Sequence, residues 1–334
     1  MYQWLPTLLC GLAAYLIARA LTPWAMRLAP SIGAIDTPRD GRRMHSRPIP
    51  RTGGLAMFAA FILCISATGT LYRSAVALLA GGTLIVLLGL FDDVYRLPAP
   101  LKLIVQLIAS AVALGYGTGA ALSRFPAPLG FAIGVLYLTL LINAHNMIDG
   151  LDGLAAGVGM LESIALALIF GLQGLASDAS LALTLGGCSL GFLHWNRHPA
   201  RVFMGDTGSQ LIGYVLGALS LRVEPSSTPL GILSLALIFA LPLSDLGFAV
   251  VRRTLRGHSP FEADRGHWHH RLVDAGLSQR RACAWLCLLS ALCASAGILL
   301  RRVSWYPFAV YTLLAALGLV MLLDLRLRRP TRQE

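Results

Sequence analysis

Residues 75–93 read AVALLAGGTLIVLLGLFDD, an uncharged apolar run from Ala75 to Phe91 closed by the pair Asp92-Asp93. Such a run is close to the length a membrane span needs. It is also apolar on every side, so it has no polar face to turn to water. The acids that end it need a separate explanation. Two adjacent carboxylates at a membrane boundary repel each other and are costly to desolvate, and acids at a helix C-terminus oppose its macrodipole. Both features suit the pair to a divalent cation, or to a group that must give up a proton, better than to a plain solvated helix end.

Working outward, comparable stretches occur near 5–25, 53–71, 101–122, 128–144, 154–172, 179–195, 209–222, 229–251, 282–300 and 304–324. With 75–91 they predict an all-α, polytopic integral membrane helix bundle of about eleven transmembrane helices. Composition agrees: of 334 residues 56% are hydrophobic and 13% charged, and mean hydropathy is +0.68, which excludes a soluble globule. No basic residue precedes the first run and no small-residue cleavage site follows it, so Met1–Ala25 reads as a retained span. The six cysteines all lie in apolar stretches and read as small core residues.

The net charge of +11 could mark a nucleic-acid binder, but here it shares a small polar fraction with long apolar runs and acts on membrane orientation; no nucleic-acid partner is expected. With the N-terminus outside and the C-terminus cytoplasmic, 21 of the 27 basic residues fall on inner segments. Loop acids follow them, which the orientation rule does not require. The cytoplasmic loops near 26–52, 92–100, 145–153, 196–208 and 252–281 therefore read as the functional face of a single domain, 1–334.

Three further constellations lie on that face. Asn143-Ala-His-Asn146-Met-Ile-Asp149-Gly-Leu-Asp152-Gly153 places an amide or carboxylate at every third position, and Gly150 and Gly153 let the backbone break so that the groups converge. Phe203-Met204-Gly205-Asp206-Thr207-Gly208-Ser209 combines glycines that admit a phosphate with an acid able to hold Mg²⁺, although Asp206 or Thr207 could equally cap the next helix. The loop from Arg252 to Arg281 holds Arg252-Arg253 and Arg265-Gly-His267-Trp-His269-His270-Arg271. Interleaved arginines disfavour a metal there and favour phosphate oxygens. Two acids lie within spans: Asp245, read as orienting Arg252 or Arg253, and Glu162, read as a neutral or bundle-facing group. His194 and His198 read as interfacial.

Carboxylate pairs, a Gly-Asp loop, an amide row and an Arg/His loop together are the parts of a Mg²⁺-dependent phosphoryl-transfer site. Phe91-Asp92-Asp93, Asn143–Gly153, Val202–Ser209 and His267–His270, with Pro50-Arg51-Thr52-Gly53-Gly54 and Ser259-Pro260-Phe261, resemble the polyprenyl-phosphate N-acetylhexosamine-1-phosphate transferases, glycosyltransferase family 4. The resemblance runs over roughly residues 30–275 in the family's order.

The resemblance implies a bacterial inner-membrane enzyme with its active site facing the cytoplasm. It would move a HexNAc 1-phosphate, GlcNAc 1-phosphate in the branch it most resembles, from a UDP-sugar to undecaprenyl phosphate with release of UMP. That step initiates a cell-surface polysaccharide such as a lipopolysaccharide O-antigen or a wall polymer. It further implies that Asp206 ligates Mg²⁺, or Mn²⁺ in its place, with Asn146 as co-ligand. Asp92 and Asp93 would bind or activate the lipid phosphate, and Asp149 and Asp152 join them as catalytic candidates. Asp152 and Phe203 would hold the uracil, while Asn143, Arg252, Arg253, Arg265, His267, His269 and His270 would bind substrate. A homodimer is left open.

Two departures matter. Many members carry a third acid three positions after the Asp pair, where this chain has Arg96, and Trp268 interrupts the histidines as His-x-His-His. The second departure looks like the UDP-N-acetylglucosamine branch, with the UDP-MurNAc-pentapeptide transferases as runner-up. A transporter is the rival of a different class, but the carboxylates gather at span ends instead of the midplane.

Overall fold

The structure, a computed structural model, describes residues 4–37, 47–67, 73–117, 119, 122–223, 230–259 and 266–302. Arg265 and the predicted span near 304–324 lie outside the described residues. The protein is nearly all helix. Its elements in order are α1 (Trp4–Ile32), β1 (Ile35–Asp36), β2 (Ile49–Pro50), α2 (Gly53–Ala67), α3 (Arg73–Tyr95), α4 (Ala99–Gly115), α5 (Ala127–Ile148), α6 (Leu154–Leu172), α7 (Ala176–Asn196), α8 (Gly205–Ser220), α9 (Leu230–Ile238), α10 (Ala240–Leu255), α11 (Trp268–Asp274) and α12 (Gln279–Arg302). β1 and β2 form a single antiparallel pair, Ile35 opposite Pro50 and Asp36 opposite Ile49.

Among the described residues six helices are long and apolar enough to cross a membrane: α1, residues Ala75–Tyr95 of α3, α5, α6, α7 and α12. The predicted ninth span, 229–251, is α9 and α10, bent by 81° at their junction, and the two make a seventh crossing if they count as one. Pro242, in the first turn of α10, has no N–H to continue a ladder from α9, so a break here is what the sequence chemistry favours. α2 and α4 are apolar but shorter. The protein is thus a multi-pass membrane protein, and the aliphatic face of α1 that exposes Leu5, Leu8, Leu12 and Leu16 is suited to lipid.

The chain divides into two compact units, 1–225 and 226–334. In the first, α8 is the central helix. Every residue from Thr207 to Ser220 is buried, and α8 packs against α2, α3, α5, α6 and α7. Tyr214 is fully buried and its hydroxyl donates to the Ala77 carbonyl at 2.8 Å. α3 reaches α8 without a side chain between them: a Cβ on Gly89 would overlap the Thr207 backbone. At the far end of α8, Arg222 forks onto Asp178 of α7, with Nε to Oδ1 at 2.7 Å and Nη2 to Oδ2 at 3.1 Å. This pair joins two of the few charges that the sequence places on the outer side. All six cysteines are free, with Cys64, Cys188 and Cys293 buried.

In the second unit, Leu237 of α9 packs with Ala296 and Leu300 of α12, and Ser234 donates to the Gly297 carbonyl at 2.7 Å.

Candidate active site

The first turn of α8 carries Asp206, and two distant segments are built around it. Phe203 N–H donates to the Pro50 carbonyl at 2.8 Å, Gly53 N–H to the Phe203 carbonyl and Gly54 N–H to the Met204 carbonyl, each at 3.0 Å. Thr52 Oγ1 donates to the Ala25 carbonyl at 2.7 Å. The Pro50–Gly54 and Phe203–Asp206 motifs are therefore one wall, tied by backbone bonds.

Asp93 belongs to that wall. Oδ1 accepts the Asp206 N–H at 3.1 Å, Oδ2 accepts the Thr207 N–H at 3.3 Å and the Thr207 hydroxyl at 2.9 Å, and Arg51 Nε lies 3.4 Å from Oδ1. The first amides of a helix have no partner within it, so Asp93 caps α8 from α3. Gly205 makes the approach feasible, because its φ of +67° is open to glycine and a Cβ there would overlap Asp93 Oδ2. The side chain of Asp93 has no exposed surface. The resemblance assigns it to the lipid phosphate; the geometry gives both oxygens to α8 and Arg51 instead.

Asp92, its neighbour, keeps a small exposed edge and takes different partners. Leu97 N–H donates to Oδ1 at 2.6 Å and Lys102 Nζ to Oδ2 at 2.9 Å. The chain turns back to make the first bond through Arg96, whose φ is +55°. The Arg96 N–H closes α3 on the Asp92 carbonyl at 2.9 Å. Position 96, where many members of the resembled family carry an acid, serves this chain as a helix stop. Lys102 also lies 3.5 Å from Asp206 Oδ2, so one ammonium bridges the two carboxylates, and Arg51 Nη2 stands 4.0 Å from Asp206 Oδ1. Burial works against the charge of Arg51, yet the surrounding acids, Asp93 first, outweigh it and hold the guanidinium charged.

In the sequence Lys102 reads only as an orientation charge. It is the one lysine among 27 basic residues, and that singularity is the signal the sequence offers. A lysine ammonium is a compact point charge, which suits a position between two carboxylates better than a planar guanidinium does.

Asn146 Nδ2 donates to Asp206 Oδ2 at 3.3 Å, and its Oδ1 accepts the Ser209 hydroxyl at 2.7 Å. Gln210 Nε2 donates to the same Asp206 oxygen at 3.1 Å. Behind it runs a chain of amides with all donors aligned: Asn143 Nδ2 to Gln106 Oε1 at 2.7 Å, then Gln106 Nε2 to Gln210 Oε1 at 3.0 Å. Asn143 thus supports Asp206 from behind, through two buried glutamines that no sequence motif marks. Burial, the neighbouring Asp92 carboxyl and Asp93 raise the pKa of Asp206 well above the ordinary carboxylate range, with Lys102 opposing.

Asp149 caps α5, half-buried, and no described group donates a hydrogen bond to its carboxylate. Burial pushes its pKa up to about 7, Arg51 opposing and Asp206 and Asp93 adding to the rise. Asp152 differs: its Oδ2 takes His198 Nδ1 at 2.7 Å and the Ala200 N–H at 3.0 Å. His198, an interfacial residue by its sequence position, therefore belongs to the site, and Asp152 orders the loop leading to Phe203. Phe203 is itself half-buried. Beneath the turn, His145 and Glu162 form a fully buried pair, Nε2 to Oε2 at 2.6 Å, with His145 Nδ1 2.9 Å from the Leu141 carbonyl.

In the second unit, Asp245 takes His267 Nδ1 on Oδ2 and the Trp268 N–H on Oδ1, each at 2.8 Å. Its two oxygens go to these groups and not, as the sequence suggests, to Arg252 or Arg253. The three histidines cluster, with ring centroids 5.7 Å (267 to 269), 6.5 Å (267 to 270) and 4.3 Å (269 to 270) apart. Burial, with His270 beside it, lowers the His269 pKa to about 3, so that ring is neutral. Arg252 packs on Gly266, where a Cβ would overlap its guanidinium, and Arg253 is buried.

Among the described residues no three carboxylate, imidazole or thiolate groups converge into a cage for a divalent cation. The Asp206 carboxylate, with Asp92 across Lys102, is still the kind of donor Mg²⁺ takes, since that ion keeps several waters and is held by one or two carboxylates together with substrate phosphates. Asn146 turns its nitrogen toward Asp206, so joint ligation would require its amide to rotate by half a turn.

The model of glycosyl transferase family 4 matches residues 75–224, the stretch from α3 to the end of α8 that builds this site. Over 314 residues the chain is 33% identical to the probable undecaprenyl-phosphate N-acetylglucosaminyl 1-phosphate transferase of Bacillus subtilis (strain 168), covering 90% of this chain and 87% of that protein. The chain belongs to the polyprenyl-phosphate N-acetylhexosamine-1-phosphate transferases of glycosyl transferase family 4. Other members of the family give the same picture. The decaprenyl-phosphate N-acetylglucosaminephosphotransferase of Mycolicibacterium smegmatis is 37% identical over 82% of this chain and 77% of its own. The undecaprenyl-phosphate alpha-N-acetylglucosaminyl 1-phosphate transferase of Escherichia coli (strain K12) is 29% identical over 85% and 81%.

Within this family member, a direct test of the α3–α8 junction is Gly89→Ala. The added methyl must push the two helix backbones apart, for which overpacking costs about 1–3 kcal/mol. It should also move Asp92 away from Asp206, and a displacement near 1 Å can cost about 100-fold in rate. Thermal unfolding and turnover of the purified variant check this; a variant indistinguishable from wild type would contradict the contact.

Proposed function

We propose that the protein transfers N-acetylglucosamine 1-phosphate from UDP-N-acetylglucosamine to undecaprenyl phosphate, giving a lipid-linked sugar pyrophosphate and UMP. The observation that carries this is the convergence of Asp92, Asp206, Asn146 and Lys102, from four helices, on the wall formed by the Pro50 and Phe203 motifs. The names of the relatives support the sugar and the lipid. The His-x-His-His spacing supports the N-acetylglucosamine branch over the pentapeptide branch. Hydropathy supports about eleven spans, and the excess of arginine and lysine on the inner segments supports an N-terminus outside, a C-terminus inside and a site toward the cytoplasm; the family resemblance supports the bacterial inner membrane. The product would start a surface polysaccharide.

Asp206, joined by Asn146 once its amide has turned, would hold Mg²⁺ or Mn²⁺, which would neutralise charge on the pyrophosphate and polarise it for attack. Lys102 and Arg51 are fixed cations that stabilise charge spread over the transferring group, with no reorganisation required during reaction. Phe203 offers a ring face to the uracil, and Asp152 with His198 fixes the loop that presents it. The arginines and histidines of the second unit bind the anionic donor. The lipid phosphate attacks directly, being already a competent nucleophile.

Asp149 is the proton acceptor in this scheme. No described group donates to its carboxylate, and a pKa near 7 is close to that of a phosphate monoester, the matching that makes proton transfer efficient. Only the ionised form accepts a proton, so turnover should fall as pH drops below about 7. Asp149→Asn should lower the rate and weaken that limb, leaving the part that Asp206, raised likewise, contributes. A pH profile flat from neutral to acid in the wild type would contradict the assignment.

Labelled UMP supplied to membranes should exchange into UDP-N-acetylglucosamine only when undecaprenyl phosphate and Mg²⁺ are present, since one phosphoanhydride is broken as another forms. Absence of exchange with every UDP-HexNAc would refute the reading.

A further inference from the structure

Asp245 is 2% exposed and bonds to two consecutive residues of another element. A carboxylate only accepts hydrogen bonds, so the 2.8 Å contact puts a proton on His267 Nδ1 and leaves Nε2 as the ring nitrogen that Asp245 does not engage. The other oxygen takes the N–H of Trp268, the first residue of α11, which carries His269 and His270. Orientation extends across the cluster: the rings of His267 and His269 lie parallel within 3° at 5.7 Å, and His269 sits 4.3 Å from His270. An acid within an apolar helix is costly unless it serves a purpose. Capping alone would need one oxygen and no charge.

We propose that Asp245 is a positioning residue for the histidine cluster: it selects the Nδ1–H tautomer of His267 and anchors α11, so that His267 Nε2, His269 and His270 meet the anionic sugar nucleotide in one fixed arrangement. For its activity arm this rests on the transferase reading above. The role is distinct from packing, because the tautomer depends on an acceptor at Oδ2 while the anchor depends on one at Oδ1.

Asp245→Asn separates the two. The amide oxygen still accepts the Trp268 N–H, but its nitrogen faces His267 Nδ1 as a donor, which drives the ring proton to Nε2. The full-length protein, purified with ¹⁵N-labelled histidine and assigned through His267→Gln, should show Nδ1–H for His267 in the wild type and Nε2–H in Asp245→Asn. Sugar phosphate transfer from UDP-N-acetylglucosamine should fall on the order of 100-fold, with thermal stability close to wild type. The double variant Asp245→Asn/His267→Gln should be no slower than His267→Gln alone within about twofold, since coupled residues are not additive. A wild-type ring protonated at Nε2, an Asp245→Asn enzyme within threefold of wild type, or losses that multiply in the double variant would each overturn the proposal. The tautomer readout needs no turnover, so it decides the inference even in a wild type that lacks transferase activity, which would refute the functional reading instead.

Discussion

Asp206→Asn should lower turnover on the order of 10³-fold while the protein remains inserted and folded, the size of loss seen when a preorganised charge-stabilising group is removed. The substitution keeps the shape but removes the charge at the point where Lys102, Asn146 and Gln210 all direct donors. An amide oxygen can still accept from one or two of them, so the helix start should survive, and its cap is in any case Asp93. What is lost is the anionic oxygen able to hold a cation against two phosphates. Affinity for Mg²⁺, followed by the concentration that restores UMP release, should weaken in parallel. A variant within tenfold of wild type, or one whose Mg²⁺ dependence is unchanged, would refute the metal assignment.

Glu162→Leu should destabilise the protein by about 3–5 kcal/mol, because breaking a buried pair strands its partner in an apolar interior. His145 Nδ1 is directed to the Leu141 carbonyl, so Nε2 has Glu162 as its acceptor or donor, and both residues are fully buried. Glu162 Oε1 already lacks a hydrogen-bond partner among the described residues, so the pair is not a source of much net stability. Replacing both residues by leucine should therefore recover most of the loss and bring the double variant within about 1 kcal/mol of wild type. Thermal unfolding of both variants in the same membrane mimetic decides this. A double variant as unstable as the two single losses combined would contradict it. Activity should track the single variant downward, since His145 precedes Asn146 and the α5–α6 turn carries Asp149 and Asp152.

The helices are largely legible in the sequence because lipid imposes one strong rule: long uncharged runs. α5 and α7 fall within a few residues of the stretches that hydropathy marks for them. The bend between α9 and α10 is invisible to hydropathy, which is continuous across Phe239; only Pro242 signals it, because proline acts through the backbone, to which an apolar average is blind. The Asp92-Asp93, Asn143–Asp152 and Phe203–Asp206 motifs are legible because each is contiguous.

Their division of labour is not. Adjacent carboxylates look alike in sequence, yet one pairs with Lys102 while the other is sealed against α8. Lys102 with Asp206, Gln106 with Gln210 and Asp152 with His198 are separated by 104, 104 and 46 residues. Pairs so distant are set by tertiary packing and leave no periodic trace. Asp245 illustrates the same limit: the nearby arginines are the obvious partners in sequence, and the fold delivers His267 instead.

The most direct test of the central claim is to incubate the purified protein with undecaprenyl phosphate, Mg²⁺ and each of a panel of UDP-sugars, and to follow UMP release together with the mass of the lipid product. The account predicts stoichiometric UMP and an undecaprenyl pyrophosphate-linked N-acetylglucosamine, reversed by added UMP. UDP instead of UMP as the released nucleotide, or no lipid product with any UDP-HexNAc, would contradict it.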